Sequence, residues 1–211
     1  MYTRVFKADS EGLISGYIIC PPAIYGTGTG PGHKSTAQVS IVVRDALQRK
    51  RAAYVGPGEN IWDFVRLSRP GSHRVLTTSV QVHIEDVADL YVLVAKRALG
   101  PDAAKDTTPY SKFYFVNAAR LSWGDVARQV GDILFAKKLV EAPGAISVNV
   151  EIPADFSRVF EIEGGPLLFV ASTARTVSER AVGLGWKPTR PPLKDTLAGD
   201  IDVLLKEAGV C

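Results

Sequence analysis

The chain has 211 residues, 46% of them hydrophobic and 22% charged, enough to bury one sizeable core or a core with a small satellite, and nothing in it reads as disordered. Its formal charge of +3 comes from 25 basic against 22 acidic residues scattered along the chain, which gives no basic stripe for a nucleic acid or a membrane surface. No apolar run reaches the roughly 18 residues of a membrane span, and Cys20 and Cys211 form no metal-ligand spacing, so the expectation is a reduced, cytoplasmic protein without a metal site.

Taken in chain order, Gly16 to Ile24 is dense in Ile, Tyr and Cys and reads as a strand buried on both faces. The loop PPAIYGTGTGPG, Pro21 to Gly32, closes it. Val39, Val42, Val43, Ala46 and Leu47 then recur at helical spacing and end in Arg49-Lys50-Arg51, favourable at a helix C-terminus. Ala52 to Val55 is a short strand before the turn Gly56-Pro57-Gly58.

Val82-His83-Ile84-Glu85-Asp86 leads into a helix with Val87, Leu90, Tyr91, Val94 and Ala98 on one face and Gly100-Pro101 as its stop. Phe113 to Val116 reads as a strand, and Ser122 caps a helix faced by Trp123, Val126, Ala127, Val130, Ile133 and Leu134. Val148 to Ile152 and Leu167 to Val170 are short extended candidates. Thr176-Val177-Ser178-Glu179 is a capping box for a short helix ending near Gly183 to Trp186. Leu197, Ile201, Leu204 and Leu205 mark a last helix, stopped by Gly209. The alternation of helices and strands predicts an α/β architecture.

The glycines at 26, 28, 30 and 32 fit neither phosphate-loop pattern. From Gly26 the third position of G-x-G-x-x-G is Pro31, and from Gly28 it is His33. Lys34-Ser35 lacks the glycine that a P-loop places before its lysine, and Pro21-Pro22 removes two backbone donors.

PPAIYGTGTGP and VHIEDVADLY, followed by Glu179-Arg180-Ala181 through Gly185-Trp186-Lys187-Pro188, resemble in this order the C-terminal half of an extended, atypical short-chain dehydrogenase/reductase of the NAD(P)-dependent epimerase/dehydratase branch. The resemblance implies an incomplete Rossmann-type fold: C-terminal sheet strands plus substrate-region helices, with the N-terminal dinucleotide-binding βαβ units missing. It implies NAD or NADP as cofactor and a small-molecule carbonyl, hydroxyl or nucleotide-sugar substrate. Pro21, Pro22 and Ala23 would lie against the nicotinamide, and Tyr25, Gly26 and His83 would border the substrate. His83 has a second reading as a helix cap beside Glu85, Asp86 and Asp89, and Pro21-Pro22 has one as a strand terminator.

The catalytic Tyr-x-x-x-Lys is absent, because Tyr2, Tyr17, Tyr25, Tyr54, Tyr91, Tyr110 and Tyr114 are followed four residues on by Phe, Pro, Thr, Gly, Ala, Tyr and Ala. Without that pair no catalytic residue is assigned, and the chain is expected to be inactive alone, with weak or no cofactor binding. The alternative is a non-catalytic remnant or interaction module that self-associates through an exposed sheet face.

The family phrase would run smoothly if Phe64 met Val82, but the seventeen residues VRLSRPGSHRVLTTSVQ, Val65 to Gln81, intervene. They read as a looped-out insertion or as a translated, unspliced intron, since valine codons begin with GT and a glutamine codon can end in AG. His33 and His73 lie in loops with no partner evident from the sequence, while Ser172-Thr173 and Arg175 have two readings, contact with an anionic substrate group or ordinary surface residues. Trp62, Trp123 and Trp186 read as packing residues.

Overall fold

The computed structural model describes residues 2–32, 34–58, 79–151, 156–171 and 176–210. His33, Trp62, residues 65–78 with His73, residues 172–175 and Cys211 lie outside the described residues.

The stretch expected as one strand from Gly16 to Ile24 is two: β1 (Ile18–Cys20) and β2 (Ala23–Tyr25), which join different sheets. Pro21 and Pro22 lack the N–H groups that a continuous ladder would need, so the chain leaves one sheet and enters the next at this point. Helix α1 (Tyr2–Ser10), absent from the sequence reading, precedes them and sets Phe6 and Tyr2 against Phe113.

α2 (Ala37–Arg49) buries Val39, Val42, Val43 and Ala46, as their spacing predicts. β3 (Ala52–Val55) follows, and then β4 (Ser79–His83) and α3 (Ile84–Leu99). Glu85 and Asp86 occupy the first turn of α3 and Lys96 and Arg97 its last, each favoured by the helix dipole. Tyr91, expected on the buried face of α3, is 56% exposed.

β5 (Phe113–Phe115) and β6 (Ala119–Leu121) lead to α4 (Trp123–Ala136), whose cap Ser122 accepts the Asp125 N–H at 3.0 Å. β6 is too short to show a period. β7 is Ala145–Val148, ending where the extended segment was expected to begin. Gly165–Phe169 is a 3-10 helix rather than a strand, opened by Gly164 at φ 69° and Pro166 in its first turn. α5 (Glu179–Gly183) and α6 (Leu193–Glu207) complete the chain, and Ser178 begins α5 without a side-chain cap bond.

The strands form two parallel pairs, β1–β5 and β3–β7, and a three-stranded sheet in the order β2–β4–β6, parallel between β2 and β4 and antiparallel between β4 and β6. Two hydrophobic cores result. One gathers α2, α4, α6 and β3, and the other gathers β4, α3, β5 and Trp186. β2 lies between them: Ala23 and Tyr25 enter the first core, while Ile24, on the opposite face of the strand, packs on the second. The candidate site forms at this junction.

Candidate functional site

Beyond β2 the glycine loop turns back on itself. The Gly28 N–H donates to the Lys34 carbonyl at 2.9 Å, and Gly26 adopts φ 95°, in the left-handed region that favours glycine. A Cβ at Gly26 would also strike the His83 ring, so backbone conformation and close approach both require glycine there.

His83 caps α3: its Nδ1 accepts the Glu85 N–H at 3.2 Å, and its ring meets the Tyr25 ring edge-on at 5.4 Å. Tyr25 is 2% exposed and donates its hydroxyl to the Pro191 carbonyl at 2.8 Å. Burial, followed by the nearby Asp86, Asp200 and Asp195 carboxylates, pushes its phenol up to about 12.

A cleft of about 330 Å³, in the size range of a small-molecule site, opens between the loop and the start of α2. Pro22, Ile24 and Ile84 give it an apolar wall, while Gly26, Lys34 and Thr36 give it a polar one. Thr36 is the N-cap residue of α2, yet its side chain makes no cap bond, and its buried Oγ1 has no hydrogen-bond partner. The first N–H groups of a helix have no partner within the helix, so this end of α2 presents free donors beside the Lys34 ammonium. Lys34 makes no ion pair among the described residues. Donors, dipole and cation together favour an anionic group.

Of the residues expected from the sequence, Pro22 and Gly26 line the cleft, and Pro21 is half-buried and does not line it. Ala23 and Tyr25 point into the first core, and His83 stands behind Gly26. The sequence reading missed Lys34, Thr36 and Asp200. Asp200 is 6% exposed on α6, with Oδ2 unpartnered. Burial raises its carboxyl, against the opposing influence of the nearby His83 ring and the Gly26 N–H. The signal for Asp200 was available: it is a charge among Leu197, Ile201 and Leu204 on the apolar stripe of a helix.

Among the described residues, no helix is long and apolar enough to cross a membrane, and no three His, Cys, Asp or Glu side chains are grouped to hold a metal ion.

No protein-family description matches the chain. It is 27% identical over 183 residues to the oxidase ucsJ of Acremonium, covering 83% of this chain and 46% of that protein. The chain therefore spans about half the length of the curated relative it matches. Among solved structures, the UDP-glucose 4-epimerase of Thermus thermophilus in complex with NAD superposes with a TM-score of 0.50 at 15% identity, over 96% of this chain and 50% of the epimerase. The PbgP3 protein of Burkholderia pseudomallei superposes with a TM-score of 0.51 at 10% identity, over 96% and 52% of the two chains. At such identities the shared property is the fold. In fold, then, this chain is an α/β protein of Rossmann type, corresponding to about half of the chain of the Thermus thermophilus epimerase or of the PbgP3 protein.

Proposed function

We propose that this chain is the nicotinamide-side and substrate-side portion of an NAD(P)-dependent oxidoreductase or epimerase of the extended short-chain dehydrogenase family, and that its cleft receives an anionic group of a small carbonyl, hydroxyl or nucleotide-sugar substrate. The observation that carries this reading is the open N-terminus of α2, where the buried Thr36 hydroxyl and the Lys34 ammonium, neither of them partnered among the described residues, line one cleft.

Lys34, Thr36 and the first N–H groups of α2 hold the anion in this reading, and Tyr25, Gly26 and His83 border the rest of the substrate. Tyr25 acts from beneath by fixing the segment at Pro191. Pro21, Pro22 and Ala23 border the nicotinamide, and the apolar wall of Pro22, Ile24 and Ile84 suits the face of such a ring. When bound, the nicotinamide supplies or accepts a hydride.

The chain carries no Gly-rich pyrophosphate loop and no Tyr-x-x-x-Lys pair. The tyrosine beside the cleft, Tyr25, has its hydroxyl committed to a backbone carbonyl and its phenol pushed up to about 12, which is poor placement for proton transfer at neutral pH. Turnover by these 211 residues alone is expected to be absent.

Calorimetric titration with UDP-glucose, and fluorescence titration with NADH and NADPH, test the reading. The expected outcome is measurable UDP-glucose binding that falls about tenfold in Lys34→Ala, the loss of one charge-assisted contact, with no saturable dinucleotide binding. UDP-glucose binding indifferent to both Lys34→Ala and Thr36→Val would remove the basis for placing the anion at α2. Tight binding of NADH would overturn the partial cofactor site.

A further inference from the structure

A second cleft, of about 440 Å³, runs along the outer flank of α2, away from the glycine loop. One wall is the helix face carrying Ser40, Arg44 and Gln48, spaced at i, i+4 and i+8 so that they stand in a row. The other is built from the 3-10 helix Phe156–Glu161 and the segment leading into Gly165–Phe169, which contributes Ile162.

Two features give this cleft a chemical preference. Phe160 is 66% exposed, yet its ring is stacked on Phe169 with centroids 5.0 Å apart and planes at 22°, so a flat aromatic surface is held at the wall. The charge of Arg49 is consumed locally, by Asp45 at 3.1 Å and Glu163 at 2.8 Å. That leaves Arg44 as a cation with no ion pair among the described residues, on the same helix face. A guanidinium binds a carboxylate through two parallel N–H donors, and an aromatic ring prefers to stack on another.

We propose that this cleft is a binding site for a monoanionic aromatic compound, an aryl carboxylate, whose ring packs on Phe160 and whose carboxylate pairs with Arg44. The cleft's volume lies within the usual range for a small-molecule site, and Ile41 and Ile162 supply its apolar lining. The proposal does not depend on the reading of the glycine loop, because the two clefts share no lining residue. They do share α2, so a ligand on the flank of that helix sits on the element whose N-terminus forms the first cleft.

The test is calorimetric titration of the full chain with 2-naphthoate, alongside neutral 2-naphthylmethanol. Arg44→Gln and Phe160→Leu are surface changes whose folding is checked by thermal melting, and Lys34→Ala reports on the other cleft. The expected result is one saturable site for 2-naphthoate, at least about tenfold weaker in Arg44→Gln and in Phe160→Leu, and unchanged in Lys34→Ala. The neutral alcohol should bind the parent chain at least about tenfold more weakly than 2-naphthoate does. The proposal is overturned by folded protein that shows no saturable binding, by binding that both flank variants leave intact, or by binding that Lys34→Ala abolishes.

Discussion

A buried carboxylate with one oxygen unpartnered is costly, and Asp200 carries one next to the residues that shape the first cleft. Its folded-state carboxyl is raised by burial, so between the ordinary carboxylate range and that raised value the folded chain binds more protons than the unfolded one. Stability from this group is therefore greatest at low pH, falls as pH rises through that window, and stays reduced above it. Asp200→Asn keeps an acceptor for the Gly26 N–H and removes the charge. Thermal melts should show it about 1 kcal/mol more stable at pH 7, roughly 2–4 °C in Tm, with the gain gone near pH 3. A lower Tm at pH 7 would mean that the carboxylate serves the fold as it stands. The groups facing Asp200, namely Tyr25, His83 and the Gly26 N–H, belong to the phrases already legible in the sequence, since a strand, its loop and a cap are contiguous features. Asp200 was legible as a charge on an apolar stripe, but its place beside Gly26 was not, because that proximity exists only after α6 packs back across the first core.

At the scale of elements, periodicity located α2, α3, α4 and α6 because each buries a continuous apolar stripe. It failed where three-residue strands show no period, as in β6, and where the 3-10 helix Gly165–Phe169 presents a short apolar run indistinguishable from a strand. β4 is more telling. Its first three residues, Ser79 to Gln81, are the last three of the segment Val65 to Gln81, and they form a strand rather than looping out. Gln81 is 1% exposed between Ala23 and Ala119, with its side-chain Nε2 unpartnered. We propose that the segment is foreign to this strand. Joining Phe64 to Val82 would set Trp62-Asp63-Phe64 in place of Ser79-Val80-Gln81, with an apolar ring at the buried position. A chain lacking 65–81 should then melt higher than the 211-residue chain. Gln81→Met, which replaces the orphaned amide by an apolar side chain of similar length, should recover about 1–3 kcal/mol by itself in denaturant titration. If both variants are less stable, the glutamine and its segment belong to the fold.

At the scale of the whole molecule, the question is how two cores meeting along β2 hold together in a chain that spans about half of its relatives. Asp86 is central to the answer. It sits on α3 at 1% exposure and accepts the Thr189 N–H at 3.0 Å and the Arg190 N–H at 3.3 Å, while its own carbonyl accepts the Trp186 indole N–H at 2.7 Å. The segment from Trp186 to Pro191 is thereby tied to the second core, and Pro191 in turn accepts the hydroxyl of Tyr25, whose ring lies in the first. The sequence reading placed Asp86 only beside the helix cap His83, which its first-turn position permits, and missed this tie because the partners are backbone N–H groups far along the chain. Removing the carboxylate breaks two part-buried, charge-assisted bonds, a loss of roughly 3 kcal/mol. Asp86→Ala is therefore expected to lower Tm by about 6–12 °C, and Asp86→Asn, which keeps one acceptor oxygen, by about half as much. Because the lost bonds link the cores, melting of Asp86→Ala followed by tryptophan fluorescence should separate from melting followed by far-UV circular dichroism. Coincident transitions with Tm within a degree of the parent would show that apolar packing along β2, rather than the Asp86 tie, joins the two cores.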